Sequence, residues 1–74
     1  MTCLEIVSQL YANSVLNKET SVVFRDSNDT TLVTFNNISD FFKNSTFIQY
    51  ANTTYLAFHC IKSSNQIRVT IETN

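Results

Sequence analysis

The chain has 74 residues, five Lys or Arg against six Asp or Glu, and a formal net charge of −1. A chain of this length makes one small domain, 1–74, and its near-neutral charge excludes a field that would attract nucleic acid or an anionic membrane surface. Because it contains no glycine, it has no Gly-rich phosphate loop, and its turns depend on Asn, Asp and Ser.

The first predicted element is an amphipathic helix over residues 2–15. Thr2-Cys-Leu-Glu5 matches the capping box that begins many helices. We expect the helix to end near Asn13–Asn17, where Asn can act as a C-cap. The apolar residues that share one side of this helix are Cys3, Leu4, Ile6, Val7, Leu10, Tyr11 and Val15.

Two β-rich segments follow and predict a first hairpin. Thr20–Arg25 and Thr30–Asn36 are rich in Val, Thr and Phe, and the turn formers Asp26–Asp29 separate them. The alternation places Val22 and Phe24 on one face of the first strand.

A short second helix is predicted at about 38–44. Either Asn37 or Ser39 can cap its N-terminus. The residues that it would bury are spaced i, i+3 and i+4, and they are Ile38, Phe41 and Phe42. Phe47–Tyr50 is then predicted as a short strand, and residues 51–53 as a turn.

The last third of the chain predicts a second hairpin. Ile67, Val69 and Ile71 alternate with polar residues, as in a half-buried strand, within the predicted strand Gln66–Thr73. Its partner, Tyr55–Lys62, is apolar on both faces, so we expect it to be the central strand. The predicted faces of that strand are Leu56, Phe58 and Cys60 on one side and Tyr55, Ala57, His59 and Ile61 on the other.

These elements predict an α+β fold in the order α-β-β-α-β-β-β. The N-terminal helix would pack on one face of an antiparallel sheet of four or five strands. A strand that is apolar on both faces needs cover on the second face as well. We expect that cover to come from the short helix at 38–44 or from a second copy of the chain in a twofold dimer.

The residues that could support catalysis or metal binding are few. His59 and Cys60 are adjacent, but neighbouring strand residues point to opposite faces and cannot pair as base and nucleophile. One His and two Cys, Cys3 and Cys60, form no metal-ligand pattern. We therefore predict reduced thiols, no catalytic residue, no metal and no cofactor; a Cys-dependent enzyme is the third choice of function.

The location and origin of the protein are predicted from composition alone. The chain has no basic N-terminal region with a long apolar run and no stretch of membrane-spanning length, so we expect a cytoplasmic protein. Abundant Asn, Ile and Phe with no Gly or Pro suggest an AT-rich genome. Such genomes are common among phages and mobile elements, and a phage protein would act in the host cytoplasm.

The predicted function is non-enzymatic protein–protein interaction. The sequence contains more apolar strand surface than one helix can cover, and such surfaces bind other chains. The predicted interface residues are Phe47, Tyr50, Tyr55 and His59, and the predicted partners are another protein and a second copy. Inhibition of a host factor, such as a defence nuclease, is the specific hypothesis.

The alternative is a single-stranded nucleic-acid-binding protein. Aromatic side chains on a sheet can stack on bases, and the candidates are Phe24, Phe35, Tyr50 and Tyr55. The cations that would contact phosphate groups are Arg25, Lys62 and Arg68. This alternative has less support because phosphate neutralisation dominates such affinity and the chain has few cations.

Overall fold

The computed structural model describes residues 1–44 and 50–72. Its elements are α1 (Cys3–Ala12), β1 (Ser21–Arg25), β2 (Thr31–Phe35), α2 (Ile38–Lys43), β3 (Tyr55–Ile61) and β4 (Gln66–Ile71). A 3₁₀ turn at Lys62–Ser64 joins β3 to β4. The α+β class and both predicted hairpins are therefore confirmed.

The sheet is mixed, whereas the sequence pattern predicted an antiparallel one. Its strand order is β2-β1-β4-β3. Both hairpins are antiparallel, but β1 and β4 pair in parallel, from Ser21 opposite Gln66 to Arg25 opposite Thr70. The connection between these two strands contains the rest of the sheet. No local pattern therefore indicates the direction in which they pair.

The position of β3 is a second correction. The strand predicted to be central lies at the edge of the sheet, and β4 lies between it and β1. The apolar residues of β3 on both faces had suggested a strand covered on both sides. Its middle residues are instead exposed, while Ile67, Val69 and Ile71 of β4 are buried.

The sequence predicted four or five strands, and the structure agrees with the smaller number. The described sheet has four strands. Of the strand predicted at Phe47–Tyr50, residues 47–49 lie outside the described residues. Tyr50 is helical, and its ring stacks on Phe24 with the ring centroids 5.3 Å apart.

Helix α1 begins as predicted and ends earlier. The Thr2 N–H donates to Glu5 Oε1 over 2.9 Å, and the Glu5 N–H donates to Thr2 Oγ1 over 3.2 Å, which completes the capping box. The helix ends at Ala12, before the predicted residue 15, because Ser14 has a left-handed backbone with φ 63°. The Cys3 N–H also donates to the Thr53 carbonyl over 2.9 Å, which joins the start of α1 to the segment before β3.

Helices α1 and α2 cover the same face of the sheet. Asn37 caps α2 by accepting from the Asp40 N–H over 2.8 Å, and Phe41 stacks on Phe24 at 5.7 Å. The expectation that the short helix covers the second face is therefore wrong, because its buried side chains join the α1 core. That core contains Cys3, Ile6, Val7, Leu16, Val22, Phe24, Phe35, Ile38, Phe41, Ile67, Val69 and Ile71.

We call the uncovered side of the sheet the open face. The strand registers place mainly small, polar and charged residues on it, together with the apolar residues Val23 and Ile61. The residues of the open face are Val23, Arg25, Thr31, Thr34, Ala57, His59, Ile61, Gln66, Arg68 and Thr70. Since most of these side chains are compatible with water, the open face does not require a covering layer.

Candidate functional site

The edge strand β3 exposes large apolar side chains. Leu56 is 54% exposed and Phe58 is 40% exposed. Within residues 1–44 and 50–72, these are the exposed large hydrophobic side chains that lie on strands. We call the outer side of residues 56–61 the β3 edge, and it combines apolar side chains with the free side of a strand.

The opposite edge of the sheet is different. Strand β2 exposes the polar residues Thr31 and Thr34, while its Phe35 is buried. Natural proteins protect edge strands with charged residues, short strands or bulges, because an unprotected edge pairs with other chains. Strand β3 has seven residues and contains no Asp, Glu, Lys or Arg. The bulge in β3 lies at Leu56, so residues 58–61 have none of these protections, whereas β2 is shorter, more polar and interrupted by an extra residue at Leu32.

A bulge near the start of β3 determines which side chains share a face. Tyr55 pairs with Ile71 and Ala57 with Thr70, so the register shifts at Leu56. As a result, Tyr55 lies on the same face as Phe58, and the two rings meet edge to face at 5.8 Å. The predicted grouping of Tyr55 with Ala57 is wrong, because alternation assumes that no extra residue interrupts the strand.

Of the predicted interface residues, His59 lies on the β3 edge and Tyr55 lies directly before it. Tyr55 is half-buried on the core side, and His59 is exposed on the open face. Tyr50 is half-buried against the core, and Phe47 lies outside the described residues. The prediction missed Leu56 and Phe58 as exposed residues. Their apolar pattern was visible in the sequence, but it was assigned to a central strand.

A cleft of about 370 Å³ lies on the open face and reaches β3. Side chains from β1, β4 and β3 form it, together with one residue of the β1–β2 turn. We call it the open-face cleft, and its lining residues are Arg25, Asp29, Ala57, Phe58, His59, Ile61, Arg68 and Thr70.

The open-face cleft carries two guanidinium groups and one carboxylate. Arg25 Nη1 and Asp29 Oδ1 form an ion pair over 2.7 Å, whereas Arg25 Nε is buried without an acceptor. Arg68 Nε donates to Gln66 Oε1 over 3.0 Å and lies opposite His59. In the described part of the chain, no carboxylate lies within ion-pair distance of Arg68. The cleft is therefore locally positive on a chain of net charge −1.

The predicted nucleic-acid residues are divided by the fold. Arg25 and Arg68 share the open face, but Lys62 lies in the 3₁₀ turn after β3 and does not line the cleft. Phe24 and Phe35 are buried under the helices. Among the described residues, the aromatic rings that line the open-face cleft are Phe58 and His59, and neither was among the predicted stacking residues.

The two thiols are free and poorly suited to nucleophilic chemistry. Burial raises the pKa of the Cys3 thiol to about 11, and burial also raises the pKa of Cys60. Both thiols are therefore protonated near neutral pH, and the thiolate is the reactive form. His59 lies on the open face, whereas Cys60 lies on the core face opposite Ile67.

Cys60 also lines a second cleft, of about 270 Å³, at the turn between β3 and β4. Three of the polar side chains that line it form hydrogen bonds with one another. The Thr20 hydroxyl donates to Asn65 Oδ1 over 2.8 Å, and Asn65 Nδ2 donates to Asn17 Oδ1 over 3.2 Å. These bonds hold the β3–β4 turn against the start of β1, so we assign the residues a structural role.

Residues 1–44 and 50–72 contain no group of three or more His, Cys, Asp or Glu side chains placed to bind a metal. Within the same residues, no helix has the length and apolar character needed to cross a membrane.

Comparison of the chain with protein-family models, curated proteins and solved structures found no match.

Proposed function

We propose that this chain is a non-enzymatic protein-interaction protein and that it binds a partner through the β3 edge. The observation that supports this proposal best is an edge strand that exposes Leu56 and Phe58 and that pairs, among the described strands, with β4 alone. Strand addition joins an extended segment to such an edge through main-chain hydrogen bonds, while side chains on either side provide affinity and specificity.

The packing of the sheet supports this role for β3. Strand β4 is buried between β1 and β3, so the edge is displayed on a packed core. The hydrogen bond from the Cys3 N–H to the Thr53 carbonyl holds the segment that leads into β3. A strand that is ordered before binding loses less conformational entropy when a partner segment joins it.

Nucleic-acid binding is the second candidate function. Arg25 and Arg68 support it because they share the open face. The burial of Phe24 and Phe35 opposes it, because base stacking is a main source of affinity for single strands. A tight complex with a short single-stranded oligonucleotide, weakening steeply with added salt, would favour this candidate over a protein partner.

Selection from a library of random peptides tests the proposed function. The probe is a displayed library of seven-residue segments, and the selected peptides are synthesised for binding and NMR measurements. We expect their contacts to shift the backbone amide signals of residues 56–61, and we expect Phe58→Lys to abolish binding. Tyr11→Lys is the matched control, because Tyr11 on α1 is 42% exposed and Phe58 is 40% exposed.

Selected peptides that shift amide signals away from β3, or that bind Phe58→Lys as well as the unchanged protein, would contradict the proposal. A library that yields no binder would also count against it. Light scattering over a range of protein concentrations must accompany the selection, because a stable dimer through β3 would occupy the same edge. That dimer would make a second copy the partner.

A further inference from the structure

The backbone of β3 shows which groups an added strand would contact. The Ser21 N–H donates to the Asn65 carbonyl over 3.1 Å, so this carbonyl points towards β1. Successive peptide groups of a strand point to opposite sides, so the backbone groups of Gln66 and Arg68 point towards β3. Their partners Ile61 and His59 point back towards β4, which leaves the N–H and C=O groups of Phe58 and Cys60 facing outwards.

A segment added to this edge would place its side chains in two different surroundings. Side chains of a strand alternate between the two faces of a sheet. On the core side, the neighbours at the edge are Tyr55, Phe58 and Cys60, which are apolar. On the open face, the neighbours are Ala57, His59 and Ile61, and the cleft with Arg68 lies directly beyond them.

The charge of the open-face cleft indicates which partner side chains would fit on the open face. Arg25 already pairs with Asp29, whereas Arg68 Nε donates to the neutral acceptor Gln66, the one side-chain acceptor that the described residues provide for this guanidinium group. A carboxylate that reached Arg68 could form charge-assisted hydrogen bonds with the terminal nitrogens of this guanidinium group. The positive cleft would also favour acidic partners over basic ones during association.

We propose that the β3 edge binds an extended partner segment in which apolar and acidic side chains alternate. The apolar side chains pack beside Phe58, and an acidic side chain lies over the open-face cleft and pairs with Arg68. This inference depends on the proposed function, because it specifies the partner of the same edge.

A second copy of this chain fits the same edge less well. Its β3 strand would bring no Asp or Glu, since residues 55–61 contain neither. Arg68 would remain without a carboxylate, and Lys62 at the end of each strand would add positive charge to the same region. Charge complementarity therefore favours an acidic segment of another protein over self-association.

The composition of the selected peptides tests this inference. We expect Asp or Glu at alternate positions, with apolar residues between them, and binding that weakens as sodium chloride is added. Arg68→Gln should weaken the acidic peptides roughly three- to tenfold, the range for a partly exposed charged hydrogen bond. Lys18→Gln, which removes an exposed cation outside the open-face cleft, should leave binding unchanged.

The possible results separate this inference from the proposed function. Apolar peptides without acidic enrichment that still bind at residues 56–61 would overturn the acidic partner and leave strand addition intact. Acidic peptides that bind Arg68→Gln as tightly as the unchanged protein would also overturn the acidic partner and leave strand addition intact. A concentration-independent dimer that buries the edge would make a second copy the occupant and overturn the inference. Peptides that bind away from β3 would overturn both.

Discussion

Phe58 of β3 lies directly opposite Val69 of β4, yet Phe58 is 40% exposed and Val69 is fully buried. The two side chains are on the same face of the sheet and belong to neighbouring strands. They differ because β4 has a strand on each side, whereas β3 has one on only one side. This difference across one strand pair separates the buried strand of the hairpin from the strand that exposes apolar side chains.

Stability measurements should show this difference between the two residues. Val69→Ala removes buried methyl groups in the centre of the core and should lower the free energy of unfolding by about 2 kcal/mol. Phe58→Lys should lower it by about 1 kcal/mol or less, because the side chain already contacts water. Urea unfolding followed by circular dichroism measures both, and a larger loss for Phe58→Lys would place β3 within the core.

The capping box should make stability depend on pH in the acid range. The hydrogen bond from the Thr2 backbone N–H is the largest cause that lowers the pKa of Glu5, followed by the bond with the Thr2 side chain. A carboxyl group whose pKa is lower in the folded chain stabilises the fold above its unfolded pKa. That contribution is lost as the pH falls through the folded pKa.

Thermal unfolding at a series of pH values tests this dependence. We expect Glu5→Gln to reduce the fall in melting temperature on acidification, because Gln keeps the capping geometry without a charge. Glu19→Gln, an exposed change in the α1–β1 connection, serves as the control. Identical acid profiles for Glu5→Gln and the unchanged protein would show that the capping carboxylate does not contribute.

The two thiols should react slowly and in a fixed order. Burial raises the pKa of both, to about 11 for Cys3, so little thiolate is present at pH 7. Cys60 is half-buried and Cys3 is fully buried, so iodoacetamide should modify Cys60 first and Cys3 only after unfolding. Mass spectrometry of a labelling time course measures the order, with the urea-unfolded chain as the reference.

The absence of glycine leaves left-handed turn positions that substitution can improve. Ser14 is exposed at φ 63°, so Ser14→Gly should raise the free energy of unfolding by about 0.5–1 kcal/mol. Asn65 has φ 49°, but its side chain bonds to Thr20 and Asn17. Asn65→Gly should therefore lower stability by about 1 kcal/mol, since the buried Thr20 hydroxyl would lose its acceptor. Urea titrations of both variants measure the free energy of unfolding and show whether backbone strain or side-chain hydrogen bonding has the larger effect at each position.

Local pattern was sufficient for both helices and both hairpins, but not for the end of α1 or for the strand predicted at Phe47–Tyr50, whose Tyr50 is helical. The capping box began α1 at the predicted residue, the spacing of Ile38 and Phe41 gave α2, and Asp, Asn and Ser residues placed both hairpin turns. These features depend on contacts between residues that are close in the chain. The sequence alone therefore indicated an α+β domain with two hairpins and a sheet covered by the first helix.

The candidate site is formed by contacts between segments that are far apart in the chain, and the local sequence pattern does not predict such contacts. The parallel pairing of β1 with β4 places β3 at the edge, and it also brings Arg25 and Arg68 together on the open face. An apolar strand has the same sequence pattern whether a second layer of the fold covers it or it is exposed at an edge. Contacts between residues close in the chain specify the two helices and the two hairpins, and the residue types of β3 make it apolar. The exposure of this apolar strand follows from the strand order, which comes from pairing between distant segments.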